Sequence, residues 1–225
     1  MAELPDQFLS APGGVERISR EVLAAHQRER VLALVTPVFA KRGYAGTRLD
    51  DLLAAGKVGV TNFYDLFEGK EDCFFAAYER ARAGVRERIV AATEGATGWN
   101  ERAYLGLGAA LDHLVAEPMQ ARLVLVEAQS AGPEGTGRHN SLMDSAIGWL
   151  AEGRRANRSA RSLPGSFEQA AISGLAFYLQ QCLLDSRHHT AAELLEETSA
   201  LVLEPIVGGE ETRRLRRELP AAGAV

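Results

Sequence analysis

Apolar residues recur along this chain at spacings of three and four, and no stretch alternates convincingly as a strand, so the pattern predicts an all-α protein. A first helix is expected from Ser19, a good N-cap, to about Arg42. Val31, Leu34, Val35, Val38 and Phe39 form its apolar stripe, and Gly43 closes it. Pro37 lies inside and deprives the Ala33 carbonyl of its partner, which predicts a kink or a fresh start near Thr36. Thr47 and Asp50 make a capped start for a second helix, whose buried face is Leu49, Leu52 and Leu53. A third helix is expected from about Gly59 to Phe67, weighted by Phe63, Tyr64 and Phe67. Gly69-Lys70-Glu71 then opens a long fourth helix to about Thr93.

Beyond a break at Gly95 to Gly98, Thr97 can cap a fifth helix to Ala116, and Pro118 suits the first turn of a sixth, to about Gln129. The run SAGPEGTGRHN reads as a loop, followed by a seventh helix from roughly Asn140 to Arg155 and the basic linker GRRANRSARSLPG. Ser166 with Gln169, and Thr190 with Glu193, have capping-box spacing and start two more helices, ending near Asp185 and Val207. A short polar helix, Glu210 to Leu219, ends the ordered chain. Residues 1–14, with Pro5, Pro12 and Gly13-Gly14, read as a tail.

Composition fits an ordinary soluble protein, 46% hydrophobic and 24% charged. The start of the chain has no apolar signal core, and the run Gln169 to Leu184 carries three glutamines, so neither secretion nor a membrane span is expected. A cytoplasmic protein is. Cys73 and Cys182 lie far apart on predicted helices and read as reduced core residues. The net charge of −5 is unevenly spread: residues 1–70 hold 9 Lys/Arg and 9 Asp/Glu, so the whole excess lies beyond them. Phosphate binding depends on where cations sit, so an acidic chain can still bind DNA.

Residues 47–70 are the informative segment. Two short helices joined by a glycine-containing turn have the layout of a helix-turn-helix, whose second helix enters the major groove by its N-terminal residues. Ala54, Ala55 and Gly56 are small enough for the helices to cross closely. Gly59, Val60, Thr61 and Asn62 are short enough to approach bases; Asn62 can pair with an adenine edge, and the methyls of Val60 and Thr61 can touch thymine. Arg28, Arg42, Arg48 and Lys57 are candidate phosphate partners. Asp65 and Glu68 oppose tight nonspecific binding, and a reader without Arg or Gln points to shape readout.

The stretch from Arg28 to Ala81, about 54 residues, resembles the N-terminal domain of the tetracycline-repressor (TetR) family. The resemblance is carried by Phe39-Ala40-Lys41-Arg42-Gly43-Tyr44, Thr47, Val58, Phe63-Tyr64, Phe67 and Lys70. It implies a cap and phosphate role for Thr47, a base-facing set of Gly59, Val60, Thr61 and Asn62, and phosphate contacts from Tyr64 and from Lys70 at a helix start. One departure is Gly56-Lys57, where the family has alanine-glycine. The implied organisation is a tail (1–18), a helix-turn-helix domain (19–70) and an effector-binding and dimerisation domain (71–225).

Readers of this kind dimerise to span two half-sites of a palindrome. Ala171, Gly174, Leu175, Leu179 and Leu183, with Leu194, Leu201 and Val202, are interface candidates; the resemblance implies a four-helix bundle, whereas the residues alone say only that these helices are apolar. Trp99, Tyr104, His113, Met119, Met143, Trp149, Phe177 and Tyr178 are candidates to line a small-molecule pocket, each also a natural core residue. Enzyme signatures are missing: there is no G-x-S-x-G, C-x-x-C or P-loop, and neighbours such as His188-His189 point about 100° apart on a helix. No cofactor or metal is expected. The expected protein is a homodimeric, ligand-responsive regulator of transcription, a repressor released by a small molecule. The alternatives are an architectural DNA binder without effector and, behind it, a helical enzyme.

Overall fold

Helical spacing becomes eleven α-helices, and no strand, among the described residues, 20–185 and 189–219 of the computed structural model. They are α1 (Arg20–Gly46), α2 (Leu49–Gly56), α3 (Val60–Leu66), α4 (Lys70–Thr93), α5 (Trp99–Ala116), α6 (Pro118–Arg122), α7 (Gly132–Ala156), α8 (Phe167–Leu184), α9 (Ala191–Val202), α10 (Glu204–Val207) and α11 (Gly209–Glu218). A π-turn, Leu123–Glu127, and a 3₁₀ turn, Ala128–Ser130, join α6 to α7. A second 3₁₀ turn, Arg158–Ser162, joins α7 to α8. The expected tail, the Ser19 cap and His188 lie outside the described residues.

Several expectations need correcting. α1 runs through Pro37 with helical dihedrals and breaks only at Gly43 (φ 74°, ψ 163°). Ala33, whose carbonyl the proline leaves free, lies on the exposed side, where water can take the bond, and the Thr36 hydroxyl donates to the Leu32 carbonyl at 2.7 Å. Leu34 faces outward. The sixth helix is shorter than expected, passing into the π-turn after Arg122. The glycine-rich run after Ser130 is no loop but the first turns of α7. Pro133 sits in its first turn, where no N–H is needed, and Gly135 lies so close to the Ala128 carbonyl that a Cβ would fall 2.0 Å from the oxygen. Arg138 ties this turn down through Glu134 and Glu79. Tertiary contacts here outweigh poor propensity. The Thr190–Glu193 capping box forms as spaced, each partner's amide bonded to the other's side chain, whereas Ser166 makes no side-chain cap.

Two cores hold these helices. The N-terminal core gathers Val31, Val35, Phe39, Leu52, Phe63, Phe67 and, from α4, Cys73 to Ala81. It also takes in Leu123, Val124, Ala128 and Ala131, so it does not end at residue 70. The C-terminal core gathers Trp99, Tyr104, Leu111, Leu150, Ile172, Leu179, Leu194, Leu195 and Val202 with the last helices. Cys73 and Cys182 are free thiols in different cores, and burial pushes the Cys73 thiol up to about 12. No helix among the described residues is long and apolar enough to cross a membrane.

Candidate nucleic-acid interface

The reading head is built from the inside outward. Phe63 of α3 and Phe67, the extended residue that ends it, point into the N-terminal core with ring centroids 5.2 Å apart, and Phe63 meets Tyr64 edge-on at 5.7 Å. With that face anchored, Gly59, Val60, Thr61, Asn62 and Tyr64 are all exposed, Val60 by 55% and Tyr64 by 53%. Arg48 and Lys57 at the two ends of α2 are exposed as well.

The turn that sets α3 against α2 has two tight points. Gly56 is buried, and a Cβ there would lie 3.1 Å from Val31 Cγ1, so this glycine serves the approach of α2 to α1 rather than the expected crossing of α2 and α3. Lys57 adopts φ 52°, ψ 46°, a left-handed residue, and donates its N–H to the Leu53 carbonyl. This is where the resembling family carries glycine, and the conformation explains why: lysine pays the left-handed strain that glycine avoids.

Two of the expected DNA contacts are engaged elsewhere. Thr47 is 2% exposed and its hydroxyl donates to the Gly43 carbonyl at 2.7 Å, so it neither caps α2 nor reaches the surface. The cap is made instead by Asp51, whose carboxylate accepts the Arg48 N–H at 2.9 Å and the Arg42 guanidinium at 2.5 Å. The Arg48 amide bond, then the arginine charges, hold the Asp51 carboxyl below its usual range. Lys70 donates to the carbonyls of Tyr44 (3.0 Å) and Thr47 (3.1 Å) and lies 4.3 Å above the Tyr44 ring. Two of the three ammonium donors are thus spent on the α1–α2 junction, leaving one for any phosphate. Arg28 stacks on Phe67 at 4.9 Å.

Away from the head, the pocket candidates behave mainly as packing. Trp99 and Trp149 stack at 5.1 Å, and the Trp99 indole donates to the Trp149 carbonyl at 3.2 Å. Tyr104 is buried in the same core, against which Met143 is packed; Met119 is half-buried. Tyr178 donates to Glu197. Phe177 does not point inward at all: it is 63% exposed. His113, 6% exposed, faces Gly84 of α4, with neither ring nitrogen hydrogen-bonded, and burial lowers its pKa. Two hollows, of about 560 and 460 Å³, open at the α10–α11 corner and beside Arg154 and Glu168, away from these candidates.

Of the interface candidates, Leu194, Val202, Ala171 and Leu179 are buried in the chain's own core, which removes them from any contact surface. Leu175 and Leu183 are half-buried, and Gly174 and Leu201 are exposed. The outer stripe of α8 is Gly174, Phe177 and Leu184, of which only Gly174 is among the expected interface residues. Among the described residues no three His, Cys, Asp or Glu side chains converge as a metal would need.

No protein-family model and no curated protein matches the sequence. Solved structures do match in shape. The fatty acid degradation regulator FadR from Bacillus halodurans superposes with a TM-score of 0.66 at 16% identity, over 79% of this chain and 94% of that one. A TetR-family transcription regulator from Marinobacter aquaeolei VT8 gives 0.65 at 16%, over 83% and 98%. FadR from Bacillus subtilis, in complex with stearoyl-CoA, gives 0.62 at 16%, over 80% and 98%. With its helix-turn-helix head and larger helical body, this chain has the fold of the TetR-family transcriptional regulators.

Proposed function

We propose that this protein is a sequence-specific DNA-binding regulator of transcription, acting in the cytoplasm as a homodimer and released from a palindromic operator by a small molecule. The observation that carries the reading is the exposed face of α3, short and uncharged from Gly59 to Asn62, flanked by Tyr64, Arg48 and Lys57 and fixed from behind by Phe63 and Phe67. Such a face suits base edges and thymine methyls at its start and phosphates at its margins. The dimer reading is supported by the apolar side chains of Phe177, Leu184 and Leu201, which the monomer leaves uncovered on α8 and α9. Release is a population shift: an effector that binds two arrangements of the body unequally biases the tilt of α4, which starts at Lys70 and packs along α5. His113, buried without a hydrogen-bond partner between α4 and α5, is the proposed polar anchor for that effector. One regulator of this fold is held with stearoyl-CoA, which puts acyl-CoA thioesters first among effectors to try.

The test is selection of duplexes from a random pool, followed by binding at several salt concentrations. A regulator enriches a palindrome and binds it with steep salt dependence. An architectural protein binds the pool and the winners alike, and that result ends the regulator reading.

A further inference from the structure

The N-terminal core contains four residues from a segment far along the chain, and the way that segment is wound is unusual. At Leu123–Glu127 the helix opens into a π-turn, closed by the Ala128 N–H on the Leu123 carbonyl. Such turns are rare and concentrate at functional positions. The winding decides which side chains meet. In an α-helix, residues five apart point about 140° away from each other; here Arg122 and Glu127, five apart, form an ion pair at 3.4 Å.

Glu127 is then delivered to one place. It is 7% exposed, and its carboxylate lies against the backbone at Gly43, where α1 breaks. A Cβ on Gly43 would lie 3.0 Å from Glu127 Oε2, so the positive-φ glycine that breaks α1 is also the residue that admits the carboxylate. The next residue carries the link onward: the Tyr44 carbonyl accepts the Lys70 ammonium, which also holds the Thr47 carbonyl and opens α4. On the opposite side of the π-turn, the Gln180 amide of α8 donates to the Leu125 carbonyl at 2.7 Å. Leu125 packs on the C-terminal core, whereas Leu123, Val124 and Ala128 belong to the N-terminal one.

We propose that Glu127 and its π-turn are the joint through which the state of α8 reaches the reading head, by way of the Gly43 break and the Lys70 clamp. This route runs beside the one through the length of α4 and does not depend on it. Glu127 is a positioning residue: it touches no base and no effector, and acts by holding the α1 break in one geometry. Burial raises its carboxyl above the usual range and Arg122 partly offsets this; Glu127→Gln keeps the shape beside Gly43 and removes the charge that pairs with Arg122.

The experiment is site-resolved amide hydrogen exchange on the full chain, with duplex binding as a second arm; only that arm rests on the DNA-regulator reading. In Gln180→Ala, a change on α8 that leaves the head untouched, exchange at Tyr44 and Ala45 is expected to rise at least fivefold while α9 is unchanged. Glu127→Ala should raise it further, and Glu127→Gln less, with affinity for the selected duplex falling at least threefold in all three. Unchanged exchange at Tyr44 in Gln180→Ala overturns the proposal. So does an equal rise throughout α5 and α9, or a local rise with no change in duplex affinity. If the unsubstituted chain selects no duplex, the regulator reading has failed, and the exchange arm alone decides whether the joint exists.

Discussion

The two cores are built from the same kinds of residue and put them to opposite uses. In the head, Phe63 and Phe67 are buried so that their neighbours on α3 can be exposed; packing serves a surface. In the body, Trp99 packs on the half-buried Trp149 and Tyr104 is buried in the same core, and the aromatic weight serves the core itself. A small residue therefore means different things in the two places. Gly153 of α7 is the floor under Trp99, where a Cβ would lie 2.3 Å from Cη2 of the indole, whereas a Cβ on Gly59 would meet nothing within 4 Å.

The same substitution at those two glycines makes the sharpest break between the regions. Gly153→Ala should destabilise by about 3 kcal/mol, because the indole is pinned by its bond to the Trp149 carbonyl and cannot slide away. That corresponds to a fall of roughly 6–12 °C in melting temperature, read by circular dichroism. Gly59→Ala should change stability by less than about 0.5 kcal/mol yet alter which duplexes are selected. A Gly153→Ala chain melting within a degree of the original shows that Trp99 is not seated on α7.

Tyr64→Ala comes next in size. If Tyr64 bonds a phosphate as proposed, losing its hydroxyl should weaken the selected duplex by about 1.5–3 kcal/mol, roughly 10- to 150-fold. The edge-on contact with Phe63 is lost too, so stability falls by about 1 kcal/mol at most. Fluorescence anisotropy with a labelled duplex separates the two quantities. Equal affinity in the variant removes Tyr64 from the interface.

How far the sequence could be read follows the same division. In the head it named the elements and the outward face of α3, because residue type, spacing and exposure all depend there on neighbours close in the chain. It misplaced Thr47 and gave no sign that Lys70 also clamps the α1–α2 junction, because their partners, the carbonyls of Gly43, Tyr44 and Thr47, are presented only once Gly43 has broken α1. In the body, periodicity found α5, α8 and α9, but the glycine-rich start of α7 depends on the Ala128 carbonyl and on Glu79, and no local signal carries them. Phe177 was read as a pocket residue because an aromatic among alanines and leucines gives no sign of which phase of the helix faces out. Arg122 and Glu127 at a spacing of five carry no helical signature at all, since only the π-turn makes them neighbours.

A pH series probes the body alone. Burial lowers the pKa of His113 and of His139, so each is held neutral in the folded chain and takes up a proton more readily when unfolded. Their contribution is present above the unfolded value of about 6.5 and is lost as the pH falls through the folded values. Urea midpoints should therefore drop on acidification below about pH 6.5, and His113→Gln should flatten part of that drop, His139→Gln another part. The groups facing His113 that bear on the sign are Arg88 of α4, which also lowers its pKa, and Glu117, which opposes it. A slope unaffected by either substitution assigns the acid sensitivity to the carboxylates.

Lys57→Gly is the smallest change and the one in which the two demands on the head part company. At φ 52° the lysine is the one residue other than glycine with positive φ among the described residues, and relieving it should stabilise the chain by about 1 kcal/mol. The same substitution removes an exposed cation at the end of α2, beside the reader. If Lys57 lies on a phosphate, the slope of log affinity against log salt should fall by about 1, with sequence preference unchanged. Lys57→Asn, which tolerates the left-handed conformation but has no charge, separates strain from electrostatics: it should share the loss of slope and recover part of the stability. Opposite signs for stability and affinity mean that a strained lysine is kept where a relaxed glycine would fit, for the sake of a contact the folded chain does not itself need. Gains in both would instead make Lys57 an ordinary surface residue and leave Arg48 and Tyr64 to hold the backbone at the margins of α3.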